Sequence, residues 1–344
     1  MTRRGARGML RRGGQNGGMS ELPADRRPPV VVRVDETHPD GEVLDAAAPL
    51  IGIEDEGYTR GDGVFETMLA VDGAVRKLPR HLARLAHSAR LLQLPSPDED
   101  RWRAAVATAL RLAAREGIGT ATDLGEETVV KLLVSRGDPV SGAYGLVIVS
   151  PVPATTLAAR EHGVRALLLP RGHDPAEDAA YPWLLTGAKT LSYAVNMAVL
   201  RHVRSLGAQD AIWTASDRRI LEGATSSVIA ARRTGDRITL LTPEPNHGIL
   251  PGTTQGAIFA AARERGWELG YGPPVPGGPA GVRRRMAGLL GAPARPRDPP
   301  GPPGPARGSG ADPPPDLLPH GLSAVRPAIS PPGLPPRRRS RSLA

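Results

Sequence analysis

The prolines of this chain are gathered at one end: residues 273–344 hold 20 of the 37, with 11 of the 41 glycines and no Gly-X-Y period. Proline fixes φ and has no amide to donate, so at this density it breaks helices and strand ladders alike. Without the tripeptide period it does not build a collagen helix either. Residues 273–344 therefore read as a low-complexity tail. Residues 1–28 lack any apolar period and read as a disordered extension, with Met19 of "MSELPADRR" as the expected true start. Residues 29–272 are left to build a core.

Charge follows the same division. Seven arginines face two acids in residues 1–28, and eleven face three in 273–344, which leaves residues 29–272 at −4 out of a total of +9. A body that gripped nucleic acid would carry an ordered basic face interleaved with aromatics. This one is mildly acidic in a chain with 3% aromatic residues, so no nucleic-acid partner is expected. No apolar run reaches the roughly 18 residues of a membrane span, and the expected location is the cytoplasm. With no cysteine, disulfides, thiolate metal sites and thiol nucleophiles are excluded, and no metal site is expected.

Within the body, "VVVRV" (30–34) is a strand, and "GDGVFETMLAVDGAVRKL" reads as two strands joined at Asp72-Gly73, a strong hairpin signal. "PRHLARLAHSARLLQL" sets His81, Leu82, Leu85, Ala89 and Leu92 at helical spacing behind Pro79. A second helix covers 100–115, and strands return at "TVVKLLVSRG" and "YGLVIVSPV". This is a small α+β domain, 29–152, and "SPVPATT" reads as the linker that follows it. The second unit, 157–272, alternates strands ("GVRALLLP", "DAIWTAS", "SSVIAARR", "RITLLTP") with helices ("LSYAVNMAVLRHVRSLG", "TTQGAIFAAARERG"). The expected fold is thus two-lobed α+β, with a small-molecule site in the crevice between the lobes.

Chemistry enters with the lysines, of which there are only three, Lys77, Lys131 and Lys189, among 44 basic residues. An accessible neutral amine does covalent work that guanidinium cannot. Lys189, in "TGAKTLSYAVN", stands between a loop and a helix. Glu222, in "RRILEGATSSVI", falls between a turn and an apolar strand and precedes Thr225, Ser226 and Ser227; a carboxylate there suits a protonated ring nitrogen. In "HGILPGTTQGAIF", Thr253 and Thr254 open a helix whose amides suit an anion. Taken singly, each stretch has a plain structural reading: a solvated lysine, a turn with capping hydroxyls, and an N-cap.

Taken together and in order, Lys189, Glu222 and "GILPGTT", with "RGDGVFET" and "HLARLAHSARLL" in the first lobe, resemble the class IV (fold type IV) enzymes that use pyridoxal 5'-phosphate (PLP), over roughly residues 45–272. That resemblance implies Lys189 as the Schiff-base lysine and proton shuttle and Glu222 at the pyridine nitrogen. Arg84 would grip the cofactor phosphate bidentately, and Thr253 and Thr254 would complete the phosphate cup. Ser226 and Ser227 would lie near the ring, with Leu250 against its face. Tyr193 is a further candidate for the pocket wall, or for the core. Thr67 stands where branched-chain aminotransferases read "FEG", and a hydroxyl there suits proton relay. The motifs look most like the 4-amino-4-deoxychorismate lyases, which make 4-aminobenzoate for folate synthesis, with class IV aminotransferases of branched-chain or D-amino acids as the alternative. The family implies a homodimer. Family members also continue past "GWELGYG" into further strands. The switch to "PPVPGGPAG" resembles a change of reading frame in a GC-rich gene, so the second lobe is expected to be truncated, and a catalytically impaired product is a further alternative to the lyase.

Overall fold

A computed structural model describes residues 27–38, 40–172, 181–245 and 248–272. The expected N-terminal extension up to residue 26, the start at Met19, the truncation and the tail after 272 lie outside the described residues.

The first lobe is one antiparallel sheet in the order β2-β1-β7-β6-β3-β4, with β5 paired to the start of β6. Its strands are β1 Val30–Val34, β2 Glu42–Leu44, β3 Gly63–Val71, β4 Ala74–Val75, β5 Thr120–Thr122, β6 Gly125–Asp138 and β7 Gly142–Pro151. A single turn, α1 (Glu56–Thr59), precedes β3, and two long helices, α2 (Leu78–Leu91) and α3 (Glu99–Arg115), cover one face. The β3–β4 hairpin forms where expected, with Asp72 and Gly73 both at positive φ (49° and 74°), as a tight primed turn requires. Helix α2 buries His81, Leu82, Leu85, Ser88 and Ala89, and α3 starts at Asp98, whose carboxylate accepts from the Arg101 amide. Val32, Val64, Met68, Val130, Val147, Leu85 and Ala105 make a continuous core beneath the helices.

The "SPVPATT" stretch is not a free linker. β7 runs to Pro151, Val152 is buried, and a helix α4 (Ala154–His162) begins directly after Pro153. Proline is tolerated at a helix start, where the missing amide has no intrahelical partner anyway. Arg160 of α4 then reaches back to Glu127 on β6, a carboxylate with no solvent exposure, at 2.5 Å. The second unit therefore begins strapped to the first.

That unit has two three-stranded sheets. One is β10-β9-β8 (β8 Ala166–Pro170, β9 Asp210–Thr214, β10 Ile220–Gly223), covered by α5 (Ala194–Ser205) through Val199, Leu200 and Val203. The other is β11-β12-β13 (β11 Ala230–Thr234, β12 Arg237–Thr242, β13 Glu268–Tyr271), on which α6 (Thr253–Glu264) packs Phe259 and Ala262. The short strands β10 and β13 add to the expected set, and the α+β architecture is as expected.

One contact joins the lobes at the point that matters. Residues 189–191 run antiparallel to the free edge of β3, with Thr190 bridged to Val64. The Phe65 amide donates to the Lys189 carbonyl at 2.9 Å, and the Leu191 amide to the Gly63 carbonyl at 2.8 Å. The approach is close enough that a Cβ on Gly63 would overlap the Leu191 side chain and the Val134 carbonyl. "GDG" in the sequence is the imprint of this crossing.

Candidate active site

Lys189 is positioned by main chain on both sides. Besides its carbonyl bond to β3, its amide donates to the Ser88 hydroxyl of α2 at 3.1 Å. Its Nζ lies 4.2 Å from the centre of the Phe65 ring and 5.5 Å from that of Tyr193, and these two rings meet edge to face at 5.3 Å. Burial, joined by Arg84 and Lys131 and opposed by Glu66 and Glu222, lowers the amine from 10.5 to about 8. A large neutral fraction near neutrality is what a nucleophilic or proton-moving lysine needs.

Glu222 is near enough to Lys189 for the charge of each to act on the ionisation of the other. It lies inside β10 rather than between a turn and a strand, and the hydroxyl residues after it occupy the irregular stretch before β11. Its Oε1 accepts from Arg171 Nη1 and its Oε2 from the Leu250 amide, both at 3.3 Å. Burial still raises its pKa above the ordinary value, against Arg171, the Leu250 amide and Lys189. A cationic N–H arriving at this carboxylate would relieve that cost.

The remaining candidates gather at the α6 N-terminus. Gly252 caps the helix with no side-chain bond to its first amides, so the amides of the first turn are available to an anion. A Cβ on Gly252 would overlap Ser227 Oγ, so glycine is what lets the two loops meet. Ser226 accepts at its carbonyl from the Gly223 amide at 2.6 Å. Thr253 Oγ1 is 3.3 Å from His81 Nε2. Thr254 stands beside it in the first turn, half-buried, and buried Gln255 has a side-chain amide without a hydrogen-bond partner among the described residues. Arg84 arrives from α2, its Nη1 donating to the Pro251 carbonyl at 2.7 Å. Its bidentate face, expected on a phosphate, is taken by Glu66 of β3, with Nε at 2.6 Å and Nη2 at 2.7 Å. The reason is that Glu66 has no solvent exposure, and a carboxylate there demands a cation. Thr67 lies on the Phe65 side of β3, two residues along, opposite Lys131 in register.

Four participants escaped the sequence reading. Glu66, flanked by buried Val64 and Met68 of the same strand, was signalled only as a charge in an apolar run. His81 read as one more member of the helix's inner face. Arg171 carried no motif, and Asn196, whose Nδ2 donates to the Ala224 carbonyl at 2.5 Å, closes the "TGAKTLSYAVN" stretch without having been singled out. Tyr193 is half-buried: its ring meets Phe65 edge to face, its hydroxyl is 3.5 Å from the same Ala224 carbonyl, and burial together with Glu222 pushes its phenol up to about 12.

The donor set fits a phosphorylated pyridine aldehyde. It combines an amine at about 8, a buried acid that would welcome a ring N–H, and a helix N-terminus flanked by Arg84 and hydroxyls. Among the described residues no group of three His, Asp or Glu could hold a metal ion, and no helix is long and apolar enough to cross a membrane.

The chain is 45% identical over 236 residues to a bifunctional aminodeoxychorismate lyase / D-amino acid transaminase of Mycobacterium tuberculosis, a match covering 67% of this chain and 79% of that protein. The PLP-bound form of a hypothetical aminotransferase from the same organism superposes with a TM-score of 0.64 at 44% identity, over 71% of this chain and 81% of that one. A fold IV transaminase from Curtobacterium pusillum gives the same TM-score at 38% identity, over 72% and 82%. The family model for amino-transferase class IV matches residues 63–274, which takes in Lys189, Glu222 and the α6 N-terminus together, and the chain belongs to that family.

Proposed function

We propose that this protein is a PLP-dependent lyase that converts 4-amino-4-deoxychorismate to 4-aminobenzoate and pyruvate. The observation that carries the reading is the Lys189 amine, held at about 8 between Phe65, Tyr193 and the field of Glu222. A relative of 45% identity carries this lyase activity in its name, together with D-amino acid transamination. PLP, when bound, supplies an electron sink for the carbon being deprotonated.

The chain's residues supply the rest. Lys189 Nζ would hold the cofactor and then, released, take the proton from ring carbon C4 of the substrate. The bond from C3 to the enolpyruvyl oxygen breaks, the ring becomes aromatic, and the departing enolpyruvate gains a proton at its methylene to become pyruvate. Glu222 would hold the ring N–H. The α6 amides, Arg84, Thr253 and Thr254 would hold the phosphate. Ser226, Ser227 and Leu250 would border the ring, and the Thr67 hydroxyl, beyond Phe65, would relay a proton.

A second reading, transamination of D-amino acids, is favoured by the other half of the same relative's name. It uses the same lysine and needs a keto-acid acceptor. Two assays on one preparation separate them: formation of fluorescent 4-aminobenzoate from 4-amino-4-deoxychorismate, and formation of pyruvate from D-alanine with 2-oxoglutarate. The first without the second supports the lyase, and the second alone overturns it. The reading also carries a cytoplasmic homodimer, which sedimentation of the purified protein tests.

A further inference from the structure

Ser88 is an odd choice for its place. It stands in the buried stripe of α2 with His81, Leu82, Leu85 and Ala89, and it has no solvent exposure. Alanine would be the better helix former there and would bury no polar group. The hydroxyl accepts the Lys189 amide at 3.1 Å, so what serine adds to this helix is a hold on a residue 101 positions along the chain.

The stretch that carries Lys189 is gripped by the first lobe at several points. Leu185 has a left-handed backbone (φ 53°), which a leucine keeps only where its surroundings impose it. Leu185 and Ala188 pack on the first-lobe core. At Lys189 itself the amide is held by α2 and the carbonyl by the Phe65 amide of β3. With both main-chain groups tied, the direction in which its Cα–Cβ bond leaves the backbone is fixed, and only the side-chain torsions stay free.

The same helix reaches the anion site. One turn before Ser88, about 6 Å along the axis, Arg84 donates to the Pro251 carbonyl at 2.7 Å. One turn earlier again, His81 Nε2 lies 3.3 Å from Thr253 Oγ1. Lys189 and the α6 N-terminus are distant in sequence within the second lobe, yet successive turns of one first-lobe helix touch both.

We propose that Ser88 is a positioning residue, and that α2 is the gauge that brings Lys189 Nζ to the aldehyde of a cofactor whose phosphate is held at the α6 N-terminus. The step it serves is formation of a carbon–nitrogen double bond: neutral Nζ attacks the aldehyde carbon, and its two protons leave with the aldehyde oxygen as water. Once the phosphate is bound, this second contact is intramolecular, and its strength depends on how much of the time the amine meets the aldehyde. Without the hydroxyl the Lys189 amide loses its acceptor, and the main chain turns to find another, carrying the side chain with it.

The inference rests on the cofactor reading above, and the experiment keeps the two apart. Cofactor-stripped full-length protein is titrated with PLP and with 4'-deoxypyridoxine 5'-phosphate, which has the same ring and phosphate but a methyl group in place of the aldehyde, and so forms no bond to lysine. In the wild type PLP binds more tightly, and the ratio of the two affinities reports how well Nζ meets the aldehyde. In Ser88→Ala the ratio is expected to fall about tenfold, the factor carried by a buried amide that loses its acceptor, with the affinity for the analogue unchanged. Should Ser88→Ala fail to fold, Ser88→Cys, close to serine in size but with a sulfur that accepts only weakly, is expected to lower the same ratio. A ratio that survives in a folded variant, or an equal loss for both ligands, overturns the proposal, since a packing defect alone would weaken both. A wild type that binds neither ligand, or binds both alike, overturns the cofactor reading and the proposal with it.

Discussion

Replacing Lys189 by methionine is expected to abolish activity and to make the cofactor-free protein more stable. The folded protein holds this amine at about 8, against 10.5 for an ordinary lysine. A folded-state pKa below the unfolded one means that the unfolded chain binds more protons between those values. Stability therefore rises with pH across the window from 8 to 10.5, and the full penalty is present below 8. The shift corresponds to about 3 kcal/mol at pH 6, falling to about 2 kcal/mol at pH 9 and close to zero above 10.5. Methionine keeps most of the apolar stem and forfeits the amine's contact with Phe65 at 4.2 Å, worth about 1 kcal/mol. The net gain at pH 6 is then about 2 kcal/mol. Urea unfolding of both proteins, stripped of cofactor, at pH 6 and pH 9 measures it. A variant less stable than wild type at pH 6, or a difference that does not shrink by about 1 kcal/mol at pH 9, would refute the account of a buried, depressed amine.

Glu222→Gln keeps the shape of the side chain and removes the charge that would hold a ring N–H; we expect PLP to bind still, seen by its absorbance, with kcat down about a hundredfold or more. Gly252→Ala is expected to cost about 1–3 kcal/mol and to weaken PLP binding, because the new Cβ meets Ser227 Oγ; the double variant with Ser227→Ala should recover part of the loss in the same titration. Arg160→Met leaves Glu127 buried without its cation and should destabilise the protein by about 3–5 kcal/mol in chemical unfolding. Changing both residues to apolar ones should cost far less.

What could be read from the sequence divides along physical lines. Local patterns were legible: the apolar run of β3, the Asp72-Gly73 turn and the apolar stripe of α2 are each set by neighbours along the chain. The motif residues Lys189, Glu222, Thr253 and Arg84 were legible through resemblance, and the fold brings all four to one region. Pairings across the fold were not. Glu66 meets Arg84 from 18 residues away, and Arg171 meets Glu222 from 51; no periodicity predicts which arginine answers a buried acid. Helix α4 was hidden because prolines at its start look the same as prolines in a linker until the helix forms behind them. The short strands β10 and β13 need partners to exist at all, and a four-residue run has too little pattern to announce itself.

The bridge between Val64 and Thr190 also sets an order of events during synthesis. β3 leaves the ribosome more than a hundred residues ahead of Thr190, and until Thr190 arrives its margin around Val64 has nothing across from it. Such a margin is a template for stray pairing with another chain. Seating the reactive amine and sealing that margin are one event, so a nascent chain that has not yet assembled its reaction chamber also shows chaperones and proteases an adhesive flank.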